Sequence, residues 1–119
     1  MWSQILRNPS TLTKLKTSKF RRKFFLSETE KQYVKDNIEV LDQFVKHILD
    51  RNLKVKPSDD GRQTPYSGNP VYKAQHATAT CCRKCIFKWH RIPSYKELNE
   101  KEINYLTNII LKWLRLCLK

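Results

Sequence analysis

Ser27-Glu-Thr-Glu30-Lys-Gln-Tyr-Val34-Lys-Asp-Asn-Ile38-Glu-Val-Leu41-Asp-Gln-Phe-Val45-Lys-His-Ile48 opens on a capping box and continues as a helical stripe. The Ser27 hydroxyl can accept from the backbone N–H of Glu30 while Glu30 reaches back to the N–H of Ser27, satisfying two donors that a helix start leaves bare. Val34, Ile38, Leu41, Val45 and Ile48 then recur at steps of four, three, four and three, so a helix over 27–53 would turn one apolar face to a core. Asn99-Glu-Lys-Glu102 repeats the cap with Asn in first place. Behind it Ile103, Leu106, Ile110, Trp113 and Cys117 make a second stripe, on a helix through about residue 118 that should pack against the first.

The remaining pieces fit around those two helices. Asn69-Pro70 reads as a cap and first residue of a short helix to His76, and Thr78 or Thr80 could cap another through His90 or Arg91, which Pro93 ends. Residues 54–69 hold Asp59-Asp60-Gly61, Gly68-Asn69 and Pro57 and Pro65, the composition of an ordered Pro/Gly loop. Asp59 and Asp60 could bind a hard cation, but Asp before Gly is first a turn former. The expected fold is mainly α: one helical domain over 1–119, with a basic N-terminal segment (1–26), a long helix (27–53), the loop (54–69), a Cys/His segment (70–92) and a C-terminal helix (99–118). Two glycines in 119 residues supply few turns for a many-stranded β fold.

The chemistry is concentrated in His76-Ala-Thr-Ala-Thr-Cys81-Cys82-Arg-Lys-Cys85-Ile-Phe-Lys-Trp-His90, with three of the four cysteines and two of the three histidines in fifteen residues. Thiolates and imidazoles are zinc's preferred donors. Cys82, Cys85 and His90 would give three ligands, with His76 or Cys81 as the fourth. The Cys-x2-Cys-x4-His spacing also opens a zinc knuckle, but Tyr95 stands where the knuckle's next ligand would fall. In the competing reading, residues 80–91 are one helix whose Cys81, Cys85, Trp89 and Ile92 form a buried stripe, with cysteine a small hydrophobe. A third possibility is nucleophilic: Arg83, Lys84 and a helix N-terminus would favour a Cys81 or Cys82 thiolate, with His76 or His90 as base.

A net charge of +13 dominates the bulk composition. Such an excess costs stability through self-repulsion, which a polyanionic partner offsets while releasing counterions. Six of the ten residues from Lys14 to Lys23 are cationic, namely Lys14, Lys16, Lys19, Arg21, Arg22 and Lys23, with Phe20, Phe24 and Phe25 among or beside them. Arg83, Lys84, Lys88 and Arg91 add a second basic row. Basic residues reach phosphates and aromatics can stack on bases, although these three rings can equally be core anchors. The expected partner is DNA or RNA, or a ribonucleoprotein or acidic protein. Both apolar stripes are needed for the core, which leaves no spare amphipathic face for a membrane. No apolar run approaches a transmembrane span, and Met1-Trp-Ser-Gln-Ile-Leu-Arg7 has no leader pattern, so a cytoplasmic protein is expected.

The run from Asp60 to His90, with its motif HATATCCRxCxxKWH, resembles a small family of bacterial and phage proteins known as a domain of unknown function of the 4186 type. Phe20 to Leu26 and Leu98 to Trp113 resemble it too, so the likeness covers nearly the whole chain. It implies a microbial or phage-infected-cell setting and no particular activity. The resemblance implies histidine at position 69 and glycines at 91 and 94–95; this chain has Asn69, Arg91 and Ser94-Tyr95 there. The functional expectation is therefore a basic nucleic-acid-binding protein with a structural zinc site. A metal- or cysteine-dependent enzyme on nucleic acid, and a phage-type protein docking on an acidic host protein or ribonucleoprotein, are the alternatives.

Overall fold

The computed structural model of the chain describes residues 14–119. The amphipathic piece read at Trp2, Ile5 and Leu6, with Asn8-Pro9 after it, lies outside the described residues. Six helices follow from Lys19 onward among those described: α1 (Lys19–Arg22), α2 (Glu28–Asp36), α3 (Leu41–Asn52), α4 (Pro70–Ala77), α5 (Arg83–His90) and α6 (Glu100–Cys117). No described residue lies in a strand.

Both capping boxes form as read. The Ser27 hydroxyl accepts from Glu30 N at 3.1 Å and Glu30 Oε1 accepts from Ser27 N at 2.9 Å. Asn99 and Glu102 make the same reciprocal pair at 2.8 and 2.9 Å.

The long first helix needs correction: it is two helices, interrupted at 37–40. Asn37 donates its side-chain amide to the Tyr33 carbonyl at 2.8 Å, and its own carbonyl accepts from Val40 N and Leu41 N. Asparagine competes with helical hydrogen bonds in this way. The break also removes Ile38 from the apolar stripe. Val34, Leu41, Val45 and Ile48 are buried, while Ile38 and Val40 face solvent.

The core lies where α3 crosses α6 and where α4 packs on α6. Leu41, Leu49, Leu53, Leu106, Ile110, Trp113 and Leu114 are fully buried there, each worth about 1.5–3 kcal/mol of transfer free energy. A second, small apolar cluster of Leu15, Ala79 and Leu116 packs against Cys85, Trp89 and Ile109. Leu15 thereby fastens the basic residues 14–16 to α5 and α6. Of the three phenylalanines in the basic segment, Phe24 packs half-buried on the core, Phe20 is partly exposed and Phe25 is mostly exposed. No helix among the described residues is long and apolar enough to cross a membrane.

Candidate metal centre and its basic surround

Cys82, not Thr78 or Thr80, caps α5. Its sulfur accepts from Cys85 N at 3.4 Å, and its extended backbone turns the chain into the helix. Thr78 and Thr80 instead pair their hydroxyls at 3.1 Å inside the preceding turn, where Ala79 takes a left-handed φ of 58°. That turn brings Cys81 and Cys82 back over the first turn of α5. The sulfurs of Cys81, Cys82 and Cys85 all lie within 4.8 Å of one another, a group that can hold a metal ion. Cys81 and Cys82 are buried and Cys85 is half-buried.

Arg21 reaches into this group from α1. Its guanidinium donates to Cys85 Sγ at 3.0 Å, to Cys81 Sγ at 3.5 Å and to the His76 carbonyl at 2.8 Å. Burial works against the charge on Arg21, but the Cys81 and Cys85 sulfurs outweigh it and raise its pKa. Within the trio the protons divide unevenly. Hydrogen bonds from Cys81 and Cys82, then the Arg21 charge, hold Cys85 far below the usual thiol range despite its burial. Cys81 is pushed up by its hydrogen bonds to Cys82 and Cys85 and by burial. Hydrogen bonding to Cys81 pulls Cys82 down, but its bond to Cys85, 3.2 Å between sulfurs, and burial leave it raised. The fourth cysteine, Cys117, is buried in the main core, where desolvation lifts it to about 12.

Both histidines stand outside the group of three sulfurs. His90 Nε2 lies 2.7 Å from the Thr78 carbonyl, which can only accept, so Nε2 carries the proton and Nδ1 accepts from Tyr105 Oη at 3.1 Å. Both of its nitrogens are engaged. His76 Nε2 likewise donates to the carbonyls of Thr64 and Pro65, each at 3.1 Å. Its Nδ1 is buried with no hydrogen-bond partner. Burial lowers the pKa of both imidazoles, and a neutral ring with one nitrogen held by a carbonyl is the ligating form.

The loop 54–69 wraps this segment. The Thr64 hydroxyl donates to the Cys81 carbonyl at 2.8 Å. Asp60 accepts from Arg83 N and Lys84 N, both at 2.9 Å, so its carboxylate sits on the N-terminus of α5 as an anion on a helix dipole. No sequence pattern links Asp60 to a helix 23 residues on. Asp59 is exposed.

Two of the ten expected phosphate contacts need reassignment. Arg83 is fully buried, and its guanidinium donates to the carbonyls of Leu53, Lys54, Pro93 and Lys96 at 2.6–3.3 Å. Arg21 is buried on the sulfurs. The other cations face solvent: Lys14, Lys19, Arg22, Lys23, Lys84, Lys88 and Arg91 are exposed and Lys16 half-exposed. Arg91 closes α5 in the left-handed region at φ 60°, which is where the resemblance implies glycine. Asn69 caps α4, accepting from Val71 N at 2.8 Å.

A match to the family described as "Domain of unknown function (DUF4186)" covers residues 9–115. The chain belongs to that family. No solved structure matches it. In this DUF4186 chain the matched span includes Arg21, the loop on His76, the three cysteines and α6 as far as Arg115, so the sulfur site lies wholly within it.

Proposed function

We propose that this DUF4186 protein is a nucleic-acid-binding module in which zinc, held by Cys81, Cys82 and Cys85, locks a cationic surface into shape. The observation that carries this reading is the position of Arg21. It comes from the basic segment, yet its guanidinium lies against the sulfurs. Three thiolates carry three negative charges. A divalent ion and one guanidinium cancel them, so the buried site becomes neutral and escapes most of the desolvation penalty. N–H donors to metal-bound sulfur are a usual outer layer of such centres. His76 is the candidate fourth donor in this reading, because its Nδ1 is the buried imidazole nitrogen without a partner. It lies outside the group of three sulfurs and would have to approach them on loading.

The same contact ties two basic stretches together. Arg21 and Leu15 anchor the basic segment to α5, the helix that carries Lys84 and Lys88, and in this reading Lys14, Lys19, Arg22 and Lys23 extend the same cationic surface. The test is fluorescence anisotropy with labelled oligonucleotides across salt. Affinity should fall at least tenfold between 50 and 200 mM salt, as counterion release requires. The double variant Lys19→Glu, Lys23→Glu should bind at least tenfold more weakly with an unchanged Tm. Salt-independent affinity, or full binding by the double variant, overturns the reading.

A metal- or cysteine-dependent reaction on nucleic acid is the second reading. It is favoured by the half-buried Cys85, whose sulfur is held toward thiolate beside two others. Cobalt substitution separates the two: three sulfurs and a nitrogen in the absorption spectrum support the closed structural site, and three sulfurs with water support the enzyme.

A further inference from the structure

Tyr66 stands in the loop 54–69, 62% exposed. Its ring lies parallel on that of His76, 4.0 Å between centroids with planes 6° apart. His76 stacks in turn with Phe24, 5.6 Å away and 15° inclined. Phe20 meets Tyr66, His76 and Phe24 edge-on at 6.4, 6.5 and 5.4 Å. A tyrosine ring has two faces, and one of them is taken by His76. The large exposure therefore belongs to the other face and the edge.

Two features make this more than a stray surface aromatic. The ring is held flat from behind by a buried imidazole that is itself pinned through Nε2 to Thr64 and Pro65, so stacking a further ring on it costs little ordering entropy. The rings are also bordered by cations. Lys23 Nζ lies 4.6 Å from the Phe20 centroid and 5.6 Å from that of Phe24, and the Arg21 guanidinium lies 4.9 Å from Phe20. Lys19 and Arg22 are exposed on the same short helix α1. A supported aromatic face beside a row of phosphate-reaching cations is the arrangement that holds an unpaired base and its backbone.

We infer that the outer face of Tyr66 is a stacking platform for one unpaired base of single-stranded nucleic acid, with Lys19, Arg22 and Lys23 on the adjoining phosphates. This rests on the nucleic-acid reading above and narrows it, since a base inside a duplex offers no free face. An acidic protein surface would satisfy the lysines but has no use for the ring.

The experiment uses the full chain with single-stranded oligonucleotides of DNA and of RNA carrying one 2-aminopurine, and with the same sequence as a duplex. Expected are tighter binding of the single strand, quenching of 2-aminopurine on binding, and about tenfold weaker binding with loss of quenching in Tyr66→Ala. Tyr66→Phe and Tyr66→Trp should keep both, which separates loss of the platform from a disturbed fold. Equal affinity for single strand and duplex, with Tyr66→Ala unchanged, overturns the platform and leaves general nucleic-acid binding standing. Displacement by polyglutamate, charge for charge as effective as by oligonucleotide, overturns it in favour of an acidic protein. Failure to bind any nucleic acid at 50 mM salt overturns this inference and the wider reading together.

Discussion

Two buried arginines divide the molecule into a region that is architecture and one that is chemistry. Arg83 faces four backbone carbonyls, from the end of α3 and from the 93–96 turn, and nothing reactive. Arg21 faces two sulfurs and one carbonyl. Burial lowers the pKa of Arg83, only partly offset by the more distant charges of Glu102 and Asp60. Arg21 is buried too, yet its pKa is raised, because its partners Cys81 and Cys85 are groups that can carry negative charge. Neutral dipoles can satisfy a guanidinium's donors, but only thiolates, or a metal–thiolate group of net negative charge, balance its charge. A cation placed against sulfur therefore marks where charge is meant to sit. A cation among carbonyls marks a knot in the fold.

The largest effect should come from cutting that knot. Arg83→Met leaves four carbonyls to find new partners and should lower unfolding stability by about 3–5 kcal/mol, read from urea denaturation. Arg21→Met should cost less in the metal-loaded protein but weaken zinc binding by about 10- to 100-fold, as loss of an outer-layer donor does. Equal stability losses with unchanged zinc affinity would dissolve the distinction between the two arginines.

Next in size is the metal itself. Protein purified without chelator should hold one zinc per chain, and a strong chelator should lower Tm by several degrees. Cys82→Ser and Cys85→Ser should abolish zinc binding, whereas Cys117→Ser should keep the full equivalent. A chelator with no effect on Tm would make the sulfur region as purely architectural as the Arg83 knot.

A smaller effect tests His90, the last residue of α5. Its folded pKa is held below the ordinary 6.5, first by burial and also by the Arg21 charge. The unfolded chain therefore takes up a proton that the native state refuses. Stability from this group is complete above pH 6.5 and is lost as pH falls from there toward the lower folded pKa. The urea midpoint should drop between pH 7.5 and 5.0, and His90→Gln should flatten part of that drop. A variant that falls as steeply as the parent would clear His90.

The smallest effect is at Arg91, the left-handed residue that ends α5. Arg91→Gly removes a strained Cβ at φ 60° but frees the unfolded backbone, so a net gain of about 0.5 kcal/mol is expected in thermal unfolding. A loss would show that the Arg91 side chain contributes more than its backbone costs.

How much of this was legible beforehand varies by element. The two capping boxes and the α6 stripe lie within a few residues of their partners, and local spacing foretold them. The break at 37–40 was not foretold, because Asn37 is compatible with a helix until tertiary packing fails to bury Ile38. The cysteine cluster was visible as composition. Its geometry was not, since the left-handed turn at Ala79 carries no glycine to announce it. Tyr66 gave no sign, because a tyrosine between prolines and glycine in a loop has no period.

What the sequence alone determined is the capped helix starts at Ser27, Asn69 and Asn99, the α6 stripe, the basic character and the gathering of sulfur near residues 81–85. Those follow from hydrogen bonds and side-chain repeats that close within one or two turns of chain. Only the tertiary structure decided which of six neighbouring cations goes inside, that Asp60 rather than a nearer residue charges the start of α5, and that His76 keeps one nitrogen uncommitted. Each depends on segments that are distant along the chain and meet only in the fold, where a buried charge or donor must find a partner or remain costly.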